Sequence, residues 1–236
     1  MISSSTVQGV NQSPIPQIQK RVTRVIDDLL ASLPRPDQLS AEERRGIIAR
    51  YAAVLEGNFI YWMTGALLAA KSEDARSIIM QNLHEEVRDS HPLMMRKFAI
   101  AALAIPTDSD AIAVHESLTK VRLFIGRLSG VPIVIAMTFF EGLIQRFMPY
   151  LAELAHLQGS AEMEYTDVHG VCDVTHTEEL YRALQMEMSV THWDDSLRSG
   201  EDLFEGIELI RTLIVCVTSI ETSYRMKVLR HGTAID

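Results

Sequence analysis

His169-Gly-Val-Cys-Asp173-Val-Thr-His176 carries three polar side chains at i, i+4 and i+7. On an α-helix those intervals bring two imidazoles and a carboxylate onto one stripe. The flanking Val168, Cys172 and Leu180 read as buried. Imidazole and carboxylate together suit iron, zinc or manganese. Three such groups cannot be buried cheaply without partners. The alternative is a stripe that faces water.

Two further stretches join this one. In Asn82-Leu-His84-Glu85-Glu86-Val-Arg-Asp-Ser-His91-Pro, Glu86 shares a helical face with Ile79 and Leu83, so its carboxylate points inward. His91 precedes a proline, which disfavours helix at that position and marks a break or kink. The other reading is a charged helix end with a surface histidine. In Val131-Pro-Ile-Val-Ile-Ala-Met-Thr-Phe-Phe-Glu141-Gly-Leu-Ile, one acid stands in an apolar run. Such a carboxylate must be paired, protonated or metal-bound. Arg146 and Arg127 are the candidate ion-pair partners. Taken together, two or three carboxylates and three histidines on three helices make a dinuclear inventory, since a single zinc needs four ligands. The paired Glu-x-x-His motifs of ferritin-like di-iron bundles are missing, and Asp173-x-x-His176 comes nearest.

Outward from these stretches the whole chain has helical period. Ile18, Val22, Val25, Ile26, Leu29 and Leu30 form one stripe that ends at Pro34 and Pro36. Ser40-Ala-Glu-Glu43 is a capping box that opens a long helix through about Lys71. Ser72 caps a helix to about Asp89, and a further piece reaches about Leu103. Helices over about 110–128, 131–157, 162–190 and 201–229 follow. They are separated by Gly130, by Gly159-Ser160 and by a polar loop over 191–200, and Gly232 lies near the last end. No alternating strands or internal repeats are present. The expected fold is all-α: a single bundle of about seven helices over 15–232, behind a polar, disordered tail over 1–14.

The 236 residues suffice for one domain with a proper core, and the net charge is -9. Without clustered Lys and Arg, no nucleic-acid partner is expected. Cys172 and Cys216 are the two cysteines, which is no disulfide framework and suits a reducing cytoplasm. The first twenty residues lack an apolar core of the signal-peptide kind. The run from Val131 to Phe140 reads as too short to span a membrane.

These residues resemble the haem-oxygenase-like di-iron oxidases and oxygenases. That family's pattern is a Glu-then-His pair on one helix, a lone Glu on another and His-x3-Asp-x2-His on a third. Here it falls on Glu86 and His91, on Glu141, and on His169, Asp173 and His176. The likeness covers most of the helical region, and Gly57-Asn58-Phe59-x-x-Trp62 is similar to the family's second core helix. The Glu86–His91 gap is shorter than the family's usual one, and Glu85 is the alternative ligand there. A haem oxygenase itself needs a proximal histidine in its first helix, but the first histidine here is His84. The thiaminase-like relatives use a nucleophilic cysteine, and Cys172, lodged between the proposed ligands, is badly placed for that.

The resemblance implies two ferrous ions and O2 as cofactors. It implies oxidation of a small molecule in natural-product biosynthesis: N-oxygenation, desaturation, carbon–carbon cleavage or nitrile formation. An amino acid is the preferred substrate. A fatty acid undergoing oxidative decarboxylation is the alternative within the family, and a non-catalytic, partner-binding helical module is the alternative outside it. Expected pocket residues are Phe59, Trp62, Met63, Met94, Met95, Met137, Phe140 and Met148, with Arg88 or Arg96 for a substrate carboxylate. An external electron donor and a homodimer through the long terminal helices are the protein partners this reading admits.

Gly170 and the β-branched Val168, Val171, Val174, Thr175 and Thr177 weaken the ligand helix intrinsically, glycine alone by ~1 kcal/mol relative to alanine. Hydrogen exchange across 166–180 is therefore expected to slow when ferrous iron is added. Unchanged exchange would count against metal-coupled ordering of this helix.

Overall fold

Helical periodicity is realised along the chain. The computed structural model describes residues 14–191 and 201–220, and every regular element among them is a helix. The tail read over 1–14 falls outside the described residues except for Pro14, as do nearly all of the 191–200 loop and the helix end near Gly232.

Helix α1 (Ile15–Ala31) buries Ile18, Val22, Ile26 and Leu29. A single 3-10 turn, Pro36–Gln38, leads to α2 (Ala41–Leu55). Ser40 caps α2 as expected: its hydroxyl accepts from the Glu43 amide, and Glu43 Oε2 accepts from the Ser40 amide at 2.8 Å. The long helix expected through Lys71 is in fact two. Gly57 adopts a left-handed conformation (φ 75°), which ends α2 and starts α3 (Asn58–Ala69) on a new axis. Then come α4 (Glu73–Arg88), α5 (His91–Ala101), α6 (Asp108–Gly126), α7 (Gly130–Leu157), α8 (Glu164–Val190) and α9 (Glu201–Thr218). The described residues thus form nine α-helices where about seven were expected.

The last helix also stops earlier than the expected Leu229. The buried Arg50 guanidinium donates to the carbonyls of Val217 (2.8 Å) and Ser219 (2.9 Å), taking up acceptors that a helix leaves open at its C-terminus.

Helix α7 is the axis of the bundle. Every residue from Ile133 to Ile144 is buried, so the helix is covered all round. It packs along α8 and also meets α9, α3, α2 and α1. Its 28 residues are long and apolar enough to cross a membrane, contrary to the reading of the shorter run within it. However, 83% of its most apolar window is buried inside the protein. Helices α4 and α5 also pack against α8.

Gly57→Ala should destabilise the fold by about 1–2 kcal/mol, the cost of holding an L-residue in the left-handed region. A thermal melt checks this, and an unchanged midpoint would mean that the α2–α3 junction relaxes freely.

Candidate metal centre

The α8 stripe that faces the core runs Tyr165, His169, Asp173, His176, Leu180, with successive steps of four, four, three and four residues. Its polar members replace core side chains over two turns. His169, Asp173 and His176 are 6%, 0% and 2% exposed, so they do not face water. Glu141 enters from α7 and is 2% exposed.

Glu86 sits in the last turn of α4. Ser90 then takes a left-handed conformation (φ 58°), and α5 restarts with His91 and Pro92 in its first turn. Proline is favoured there because the first-turn amides lack helical partners anyway. This break swings His91 back beside Glu86, with Nδ1 2.8 Å from Glu86 Oε1. That spacing fits a hydrogen bond, and it equally fits two neighbouring ligand atoms on one ion.

All six sequence-identified residues converge. Glu86, His91, Glu141, His169 and Asp173 line one cavity with Phe59, Phe140 and Tyr165. His176 Nδ1 lies 3.9 Å from both Glu141 Oε1 and Asp173 Oδ1. Possible ligand atoms of Glu86, His91 and His169 lie within 4.8 Å of one another, as do those of Cys172, Asp173 and His176. The imidazoles of His91 and His169 meet edge to face, 4.5 Å between centroids.

Each α8 histidine is oriented through one ring nitrogen. His169 Nδ1 lies 2.8 Å from the Tyr165 carbonyl and donates to it, which leaves Nε2 a lone pair. His176 Nε2 lies 3.1 Å from Glu85 Oε2. Its Nδ1, turned towards Glu141 and Asp173, is buried without a partner. Glu141 Oε1 and Asp173 Oδ2 are likewise buried and unpartnered. Buried polar atoms are rarely left so, and three of them on neighbouring side chains fit a cation. Glu85 and Glu86 therefore divide the roles left open between them. Glu86 lies inside the cavity, and the partly exposed Glu85 braces His176.

Among the described residues, no arginine or lysine pairs with Glu86, Glu141 or Asp173. Arg146 pairs with Asp27 at 2.7 Å, and Arg127 pairs with Glu205, so neither neutralises Glu141. Burial, reinforced by the charges of Asp173 and Glu86, raises the Glu141 carboxyl well above the usual carboxylate range. Burial likewise pushes Asp173 up to about 8, opposed by the Cys172 thiol and assisted by the charge of Glu86. Burial drops His169 to about 4, so it is neutral. Burial works against protonation of His91, but the Glu86 hydrogen bond and charge outweigh it and raise its pKa. The Cys172 thiol is held protonated by burial and by Asp173, to which it donates at 3.1 Å, so it is no nucleophile.

No protein-family model matches this chain, and no curated protein matches it.

The expected pocket residues divide. Phe59, Phe140 and Met95 line the cavity. Trp62 stands one layer behind, edge-on to Phe140 at 5.2 Å. Met63, Met137 and Met148 are core residues, and Met94 is partly buried against the core; none of them lines the cavity. Arg88 lies on the surface, held bidentately by Asp89. Sequence reasoning missed Tyr165, whose ring stacks 4.3 Å from that of His169 and whose hydroxyl meets Tyr51 at 2.8 Å. Its position four residues before His169, on the same stripe, is the signal that could have found it.

A pH effect follows for the metal-free protein. Asp173 and His91 have folded pKa values above their ordinary ones, so the stability they confer is present at low pH and lost as pH rises through those values. His169 opposes this only below its ordinary value of 6.5. Between pH 6.5 and roughly 8.5 the melting temperature of metal-free protein should fall, and the increment given by added metal should grow, because metal ligands must be deprotonated. A flat profile would mean that these groups are not buried together.

Proposed function

We propose that the chain is a non-haem di-iron oxidase or oxygenase of the haem-oxygenase-like kind, acting with O2 on a small organic substrate. The observation that carries this is the convergence of three buried carboxyl groups and three imidazoles in the core. Glu86, Glu141 and Asp173 face one cavity, Glu85 reaches it through His176, and among the described residues no arginine or lysine pairs with the three carboxyl groups in the cavity. Two divalent ions would balance four carboxylates, and three neutral imidazoles would complete the donor set. A donor set dominated by nitrogen and oxygen suits iron or manganese.

Glu86, His91 and His169 would hold one ion, and Glu141, Asp173 and His176 would supply donors to the other. Bound iron would supply the one-electron chemistry that dioxygen needs. The chain's own contribution is orientation and exclusion of water. The Tyr165 carbonyl fixes the donor face of His169, and Glu85 fixes that of His176. Phe59 and Phe140 keep the cavity apolar, which strengthens electrostatic interactions inside it. The ring of Tyr165 covers His169 from the α2 side through its contact with Tyr51. The donor set serves a small amino acid or a fatty acid equally well. An external reductant would return the metal to its ferrous state between turnovers.

Protein expressed with added iron should contain two irons per chain by elemental analysis. An anaerobic ferrous sample should develop a transient visible absorption on exposure to oxygen. Glu141→Ala and His176→Ala should each bring the metal below two per chain while the helical signal in circular dichroism persists. One zinc per chain, or no metal at all, would end this reading.

A further inference from the structure

Asn82 is fully buried on α4, and neither its Nδ2 nor its Oδ1 has a hydrogen-bond partner. A carboxamide brings two donor hydrogens and two acceptor lone pairs, and a core that leaves all of them unpaired loses stability. Leucine has nearly the same size and shape and would fill the place without that loss. The amide therefore answers a need other than packing.

Its place relates it to the centre. Asn82 stands four residues before Glu86 on the buried stripe of α4. Residues at that interval are neighbours on a helix surface. Helical side chains also lean towards the N-terminus, so that of Glu86 lies over the turn of Asn82. Helices α3 and α4 pack against each other and are joined by a link over 70–72. So short a link makes them antiparallel neighbours. Trp62 lies eight residues before Ala70 and Asn82 ten after Ser72, so the two stand at nearly the same height in the hairpin. Trp62 is fully buried as well, and its Nε1 is a donor without a partner. Its indole meets the ring of Phe140, which lines the same cavity as Glu86.

We propose that Trp62 and Asn82 form a positioning relay for Glu86 in the metal-loaded centre: the indole N–H donates to Asn82 Oδ1, and Asn82 Nδ2 donates to the Glu86 carboxylate. The proposal rests on the reading of the site as a metal centre. Without metal, Glu86 Oε1 lies 2.8 Å from His91 Nδ1. A cation competes for both groups, and the carboxylate then needs another anchor. Ligating carboxylates are hydrogen-bonded in their turn, and losing such a partner weakens metal binding by ~10–100-fold. The last torsion of asparagine is broad, so the amide can turn to make both bonds without moving a helix.

Cobalt(II) titration of the metal-stripped full chain, followed by visible absorption, tests it. Asn82→Leu keeps the volume and Asn82→Ala removes it, and both should weaken cobalt binding at least ~10-fold. Metal-free Asn82→Leu should melt no lower than wild type, because it removes an unpaired amide from the core. A residue that served only the fold would give the opposite pair, a lower melting temperature and an unchanged affinity. Trp62→Phe should also weaken cobalt binding, and combining it with Asn82→Leu should add no further loss, since one relay carries both effects. Unchanged cobalt affinity in the Asn82 variants, a lower melting temperature of metal-free Asn82→Leu, or losses that add in the double variant would overturn the proposal. Iron content of the wild-type protein, measured alongside, separates it from the di-iron reading. Two irons with indifferent Asn82 variants removes the relay alone. A single metal whose affinity falls in the Asn82 variants removes the di-iron reading alone. Wild-type protein that takes up neither cobalt nor iron removes both.

Discussion

Three carboxylates from three different helices face one another across a small cavity inside an apolar core. Glu86, Glu141 and Asp173 are each nearly inaccessible to water. Like charges at such depth repel strongly and are poorly solvated, so they stay together only as protonated acids or around cations. The imidazoles of His91, His169 and His176 fill the space between them. The break at Ser90 serves this meeting directly, because it turns His91 back beside Glu86. The uninterrupted burial of α7 does so as well, because it carries Glu141 into the interior.

The arrangement has a cost in stability. Buried, unpartnered atoms on Glu141, Asp173 and His176 each forgo hydrogen bonds that water would give, on the order of 1–3 kcal/mol apiece. The surrounding packing bears that load. Phe139, Phe140, Phe147, Trp62 and Tyr51 are among the largest fully buried side chains, and they cluster around α7. The centre is thus a locally unfavourable site embedded among the largest buried side chains, the arrangement expected where residues serve a ligand rather than the fold.

Outside this shell lies a second layer of polar contacts that holds the first in place. Glu85 touches His176 from the solvent side, and the Tyr165 carbonyl touches His169 from within its own helix. Tyr51 and Tyr165 link α2 to α8 through their hydroxyls. Pro92 and Met95 line both the cavity and a neighbouring cleft between the end of α2 and α5.

Sequence by itself determined the helical class, the capping of α2 at Ser40, the break before Pro92 and the six polar residues of the centre. Each is written in local chemistry: side-chain periodicity, a capping box, the steric effect of proline, or an ionisable group misplaced among apolar neighbours. It did not reveal that Gly57 divides one expected helix in two. Glycine is tolerated inside helices as well as at their ends, and only the tertiary path chose the left-handed conformation. Nor could it separate Glu85 from Glu86, since adjacent residues differ by one step around a helix, and the facing position of α8 decides which points inward. The lining residues were legible only in part. Met63 and Phe59 look alike in sequence, and the rotation of α3 against α7 alone sends one into the core and the other into the cavity. Long-range packing fixes such rotations, and no local pattern encodes them.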